Sequence, residues 1–299
     1  MATLLVSRFD ELNIFHSFSL EVKSIWDIVT KHKNTEYIVF LQNYIADNPV
    51  HAWRRDILSS ILPVYINKND IEENIERIHS VDTSKWMVNP WEFIDCSPSV
   101  HYMALAEKVK NAYQVNNKSG KYVLYVKRNK SRKLFDYKSH VEFDVLFCDW
   151  CESQKLPYKI ACFDNATFQE QVSAVSEAKV MISCHGAANT NIFLLPDDGH
   201  LFEINFRKYW HCDPVCDDHF SGIIPYTTKC RGKLTYRRYF HKADYYNLCK
   251  IFDKGYTELF IEDADTYLSR NPIDIMNIYV NTEKIQLSLF PIVAGLIER

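Results

Sequence analysis

The stretch KVMISCHGAANTNIFLLPDDGHLFEINF, residues 179–206, decides the fold. An apolar run, KVMISC (179–184), reads as a buried strand and ends in the turn His185-Gly186-Ala187. A short segment with helical spacing, ANTNIFLL (188–195), follows, and HLFEINF (200–206) reads as a strand again. Two strands joined through a helix instead of a tight hairpin run parallel. The question the stretch raises is why a chain with only 7 glycines spends one directly after a histidine at a strand end.

The same alternation continues outward. KYVLYVKR (121–128) is a strand, KSHVEFDVLFCDWCESQ (138–154) a helix, YKIACF (158–163) a strand and TFQEQVSAVSEA (167–178) a helix opened by Thr167. Strand and helix alternating at this spacing predict an α/β protein whose parallel sheet carries helices on both faces. Further upstream EYIVFL (36–41) reads as a strand, AWRRDILSSILPVYI (52–66) as a helix limited by Pro63, and SVHYMALAEKVKNAYQ (99–114) as a helix with Ser97 or Ser99 as cap. The polar, glycine-containing NNKSGK (116–121) marks a linker, so two domains are expected, 1–115 and 116–299. Beyond 207 the sequence yields a helix around 240–252 and an apolar stretch, IQLSLFPIVAGLI (285–297), that packs back across either domain.

Composition excludes several classes. Hydrophobic residues at 47% and charged ones at 24% describe a globular protein, and a net charge of −3 offers nucleic acid or an anionic membrane no attraction. No apolar run approaches the roughly 20 residues of a membrane span. The amino terminus meets Arg8, Asp10 and Glu11 before a leader's apolar region builds up, so a cytoplasmic location is expected. The nine cysteines are scattered and odd in number, which suits a reducing compartment. Cys148 and Cys151 with His211, Cys212, Cys216 and His219 match no finger spacing, so no metal site is expected.

In an open parallel sheet, ligands sit outside the carboxyl ends of the strands. The His185-Gly186 turn lies there, with glycine letting backbone approach a ligand and the following helix start favouring an anion. Arg128, Lys130, Arg132 and Lys133 cluster after another strand at the same edge, where guanidinium forks suit diphosphate oxygens. A hydrogen-bonded structural turn and a solvated basic loop are the plain alternatives. No phosphate-binding G-x-x-x-x-G-K-[ST], dinucleotide G-x-G-x-x-G or hydrolase G-x-S-x-G is present.

Taken together, Arg128…Arg132-Lys133-Leu134, Phe168…Gln171…Ser176-Glu177-Ala178, His185-Gly-Ala-Ala-Asn-Thr-Asn191-Ile-Phe-Leu-Leu-Pro196 and Glu203-Ile204 resemble glycosyltransferase family 61. That family includes plant xylosyl- and arabinosyltransferases and animal O-linked N-acetylglucosaminyltransferases. Upstream, Asn48-Pro-Val-His51, Asp56 and Leu62-Pro63 match more loosely, and Ala188 replaces the family's second glycine. The resemblance implies a GT-B-like architecture, two Rossmann-like domains facing across a cleft. It implies inverting transfer from a UDP-sugar to a glycan or glycoprotein acceptor, with no cofactor and no obligatory metal. On the same ground Arg128, Arg132, Lys133 and His185 hold the diphosphate, the Gly186–Ala187 backbone caps it, and Asn191 and Glu203 fix the turn or touch the nucleoside. His51 and Asp56, from the first domain, are the two candidates for the general base. His185 and Arg128 are expected to be solvent-accessible in the empty cleft. The reading from another class is a non-catalytic nucleotide-sugar or glycan-binding protein of the same fold.

Overall fold

The computed structural model describes residues 2–8, 14, 17–71, 75–81, 98–115, 118–129, 133–206, 229–230, 233–234, 239–261 and 277–297. Its first sheet is formed by β1 (Ala2–Arg8), β2 (Tyr37–Gln42), β3 (Val64–Tyr65) and β4 (Ile75–Val81), in the order β3-β2-β1-β4 and parallel throughout. The amino-terminal segment, read above only for a leader, is a central strand of this sheet. Its Leu4 and Leu5 are buried, as the continuous apolar run of a two-face-covered parallel strand requires.

The second sheet follows the alternation read from the sequence. Of β5 (Tyr122–Lys127), β6 (Lys133–Asp136), β7 (Tyr158–Cys162), β8 (Ala178–Cys184) and β9 (His200–Phe206), all but β6 enter it. A short antiparallel pair, β10 (Lys229–Cys230) and β11 (Lys233–Leu234), precedes β12 (Gly255–Ile261), which completes the five-stranded parallel order β12-β9-β8-β5-β7. β6 pairs instead with β13 (Asn277–Val280) in a separate parallel ribbon.

Local chemistry sets the helix boundaries. Pro49–Ser59 begins where the Asn48 side chain accepts from the amides of Val50 and His51, with Pro49 in the first turn where its missing N–H costs nothing. It ends at Ser59, before the Pro63 expected to limit it, because the chain turns at Ser60–Leu62 to enter β3. Phe168–Val175 opens with a reciprocal capping box between Thr167 and Glu170. The helix expected at 188–195 is a 3-10 helix, Ala187–Leu194. Its bonds run from Asn189 N to Gly186 O (2.9 Å) and from Leu195 N to Ile192 O (3.1 Å), the tighter i to i−3 pattern. Asn189, Thr190 and Asn191 are all buried on it, so polar side chains point into the fold where an ordinary amphipathic helix would face water.

One apolar core joins the two sheets. Phe18 stacks on Phe193 at 4.7 Å between ring centroids, and Trp53 meets Phe168 edge-on at 5.4 Å. Each fully buried aromatic of this kind stabilises by about 1.5–3 kcal/mol. The 1–115 segment and the remainder therefore share a core through the helices between their sheets. A second core covers the opposite face of the five-stranded sheet, where Val123, Tyr125, Phe202 and Ile204 pack with Leu289 and Val293. The last helix, Thr282–Ile297, lies on that face.

Candidate functional site

β8 delivers His185 to the carboxyl edge of the second sheet, where its amide donates to Ile204 O at 2.9 Å. Alternation along β9 turns Phe202 and Ile204 to the second core and Glu203 to the other face, beside Leu201. Glu203 is fully buried, and three groups converge on its carboxyl. His185 Nδ1 lies 2.7 Å from Oε1, Asn189 Nδ2 donates to Oε1 at 3.1 Å, and the Tyr256 hydroxyl donates to Oε2 at 2.6 Å. Asn189 in turn accepts from the Ser183 hydroxyl. Tyr245 packs edge-on against the His185 ring at 5.2 Å.

This is a buried acid with polar neighbours and, among the described residues, no lysine or arginine partner. Burial pushes the Glu203 carboxyl up to about 8, while Tyr256 and Asn189 pull in the opposite direction. Burial, then the nearby Glu203, raises the Tyr256 hydroxyl well above the ordinary tyrosine range. With the Glu203 proton directed at His185 Nδ1, a neutral imidazole carries its own hydrogen on Nε2. The acid thus sets which imidazole nitrogen can donate.

The remaining sequence candidates are distributed as follows. His185 is only 6% exposed and not solvent-accessible as expected, because the 3-10 helix, Tyr245 and β9 surround it. Gly186 is extended (φ 162°, ψ 172°), a conformation open to any residue, so its backbone does not require glycine. Asn191 is buried away from Glu203 and donates to Gln171 Oε1 at 2.8 Å. Arg128 is half-buried and approaches Asp164 at 3.7 Å, while Lys127 pairs with Asp144 at 3.3 Å. The two cations at the end of β5 therefore already face carboxylates, Asp144 and Asp164, that lie elsewhere in the chain. Lys133 opens β6, opposite Asn277, and Arg132 lies outside the described residues.

At the edge of the first sheet, His51 is buried, and its Nδ1 accepts from Ile45 N at 2.8 Å. Asp56 is bonded to Arg55 and not to that ring. Its Oδ1 takes two bonds from Arg55, Nε at 2.8 Å and Nη2 at 2.6 Å. Tyr44 joins the two, packing against the His51 ring and accepting from Arg55 Nη1 at 3.3 Å. Tyr113 is also close, its hydroxyl pushed up to about 12 by burial and by Asp56.

Sequence reasoning passed over Asn189, Tyr256 and Tyr245, and also a buried cluster one turn beyond His51. There Arg54 grips Glu21 through Nε and Nη2, both at 2.7 Å, with Ser17 and Ser7 donating to the same carboxylate. Glu21 sits in a π-helical turn, Ser17–Val22, whose irregular winding left no periodic signal. Among the described residues no cluster of three or more His, Cys, Asp or Glu side chains is placed to hold a metal ion. Cys148 and Cys151 are free thiols in the Phe143–Ser153 helix, and His211, Cys212, Cys216 and His219 lie outside the described residues. No helix among the described residues is long and apolar enough to cross a membrane.

A family model, Glycosyltransferase 61, matches residues 39–201, more than half of the 299-residue chain. No curated protein is similar enough to match.

Proposed function

Because the chain belongs to glycosyltransferase family 61, it is a glycosyltransferase, and we propose that it transfers a sugar with inversion from a UDP-sugar to a glycan or glycoprotein acceptor. The sugar is xylose, N-acetylglucosamine or a relative, and no metal is obligatory. The proposed architecture is GT-B-like, with residues 1–115 on the acceptor side and 116–299 on the donor side of a cleft.

The single observation that supports this most is the Glu203–His185 pair at the carboxyl edge of a parallel sheet. With the acid's proton against Nδ1, the Nε2 hydrogen of His185 is a donor suited to a diphosphate oxygen, beside the Gly186–Ala187 backbone. Arg128 adds its fork once the anion competes with Asp164, and Arg132 and Lys133 are the further cations of the proposed diphosphate site. Asn191 holds the turn in place through Gln171.

Inverting transfer also needs a base that takes the acceptor hydroxyl's proton. Of the two candidates, Asp56 fits better, since both Arg55 bonds go to Oδ1. Oδ2 then keeps lone pairs for the acceptor. A neutral His51 whose Nδ1 accepts from Ile45 carries its hydrogen on Nε2, so that nitrogen donates and does not abstract. That same arrangement favours the second reading, a nucleotide-sugar or glycan-binding protein without a base, should Asp56 prove dispensable.

UDP affinity by calorimetry and transfer rate on one set of variants test the proposal. His185→Ala and Arg128→Ala should each weaken UDP binding by about 1–3 kcal/mol. Asp56→Asn should cut the rate by about 10² to 10⁴ with UDP affinity unchanged, and His51→Ala should do less. Unaltered affinity in both donor-site variants overturns the diphosphate assignment. Full turnover in Asp56→Asn removes the base, and a wild type that binds UDP but transfers from no UDP-sugar is the binding protein.

A further inference from the structure

A cavity of about 240 Å³ opens at the edge of the second sheet opposite His185 and Arg128. It lies between the Val100–Ala112 helix, the turn before β9 and the residue preceding β12, with Phe193 and Phe252 among its apolar walls. Lys110, Lys118 and Lys254 line it, and the side chains of two of them are withdrawn from solvent. Lys110 is 5% exposed, and so is the side chain of Lys254.

Removing an ammonium group from water is unfavourable unless a counter-charge replaces the lost hydration. The carboxylates at this cavity do so poorly. Asp197 Oδ1 stands 3.9 Å from Lys254 Nζ on a side chain 68% exposed, and Lys110 Nζ donates one long bond, 3.3 Å, to Glu107 Oε1 on a side chain 56% exposed. Carboxylates so exposed keep much of their own hydration and offset the lysines' lost solvation only in part. The strain registers on Lys254, which burial and then the repulsion of Lys110 bring down to about 8. Two buried, mutually repelling lysines facing one empty space are the arrangement that an anionic ligand resolves.

We infer that this cavity binds a small organic oxyanion, a phosphate or carboxylate carried on a compact apolar body, between Lys110 and Lys254. Its oxygens would accept from both ammonium groups and cancel their repulsion. The apolar body would rest on Phe193 and Phe252, which a fully hydrated inorganic ion would not use. Glu107 and Asp197 lie at the wet rim and can swing into solvent as the anion enters.

Thermal melts with phenyl phosphate or benzoate, at ionic strength matched with chloride, test the inference. Saturating ligand should raise the melting temperature by about 2–4 °C. Lys254→Met and Lys110→Met, which replace a buried charge by an apolar chain of similar length, should fold and lose that rise. Arg128→Ala should keep it, which separates this cavity from the proposed diphosphate site. The larger of the two shifts identifies the oxyanion. No shift with either compound overturns the inference, as does one that both lysine variants retain or that Arg128→Ala abolishes.

Discussion

Among the described residues the four-stranded and the five-stranded sheet each have one fully buried glutamate beside them, and the two are compensated in opposite ways. Glu21 is locked by the two-pronged guanidinium of Arg54 and by two serine hydroxyls. Among the described residues Glu203 has only neutral hydroxyl and amide donors and the imidazole of His185. The first is a closed ion pair that can change nothing without breaking. The second shares a hydrogen bond with a histidine at a strand end, and the position of the proton in that bond sets which imidazole nitrogen carries a hydrogen. Burial alone does not separate a structural acid from a functional one; the identity of its partners does.

The same substitution should therefore have unequal consequences at the two positions. Glu21→Gln leaves the Arg54 guanidinium buried without its counter-charge and should cost about 3–5 kcal/mol of stability, the scale for breaking a buried pair from one side. Glu203→Gln keeps the shape and neutrality of the protonated acid and should cost far less at pH 7. Urea denaturation of both variants provides the comparison, and equal losses would erase the distinction.

A smaller effect concerns pH. From the ordinary carboxylate range up to about 8, the unfolded chain has released the proton that native Glu203 still holds. Stability should accordingly fall as pH rises through that window and level off above it, by at most about 1.4 kcal/mol per pH unit. In Glu203→Gln this component of the slope should vanish. A wild-type profile that is as flat as the variant's would show that the acid is ionised in the native state.

The smallest expected change is in Tyr256→Phe. It removes one donor from Glu203 Oε2 and should cost about 1 kcal/mol. Because that hydroxyl holds the acid's pKa down, its loss should also move the pH window to more alkaline values. A window displaced to lower pH would mean that Tyr256 favours the protonated acid.

The second sheet was legible because its elements alternate at regular spacing and its caps are local. Strand 200–206 lies where the apolar run ends, and Thr167 opens its helix with Glu170 three residues on. The first sheet was less legible. β1 sits in a segment that also resembles an ordinary amino terminus, and β3 is two residues long. At the site, His185, Asn191 and Glu203 stood out through the family-like turn, but the sequence did not indicate that the first pairs with Glu203 while Asn191 pairs with Gln171.

What the sequence determined by itself is whatever depends on neighbours a few residues apart: apolar period, helix caps, the turn after a strand and the family-like order of its motifs. The tertiary structure alone decided which distant residues share one environment. Parallel pairing carries Tyr256 across 53 positions to Glu203, and helix packing carries Arg54 across 33 to Glu21. A side chain's charge state depends on burial and on those partners. The physical reason is that the free energy of a buried proton or ammonium is set by everything within a few ångströms, and chain order does not encode that distance.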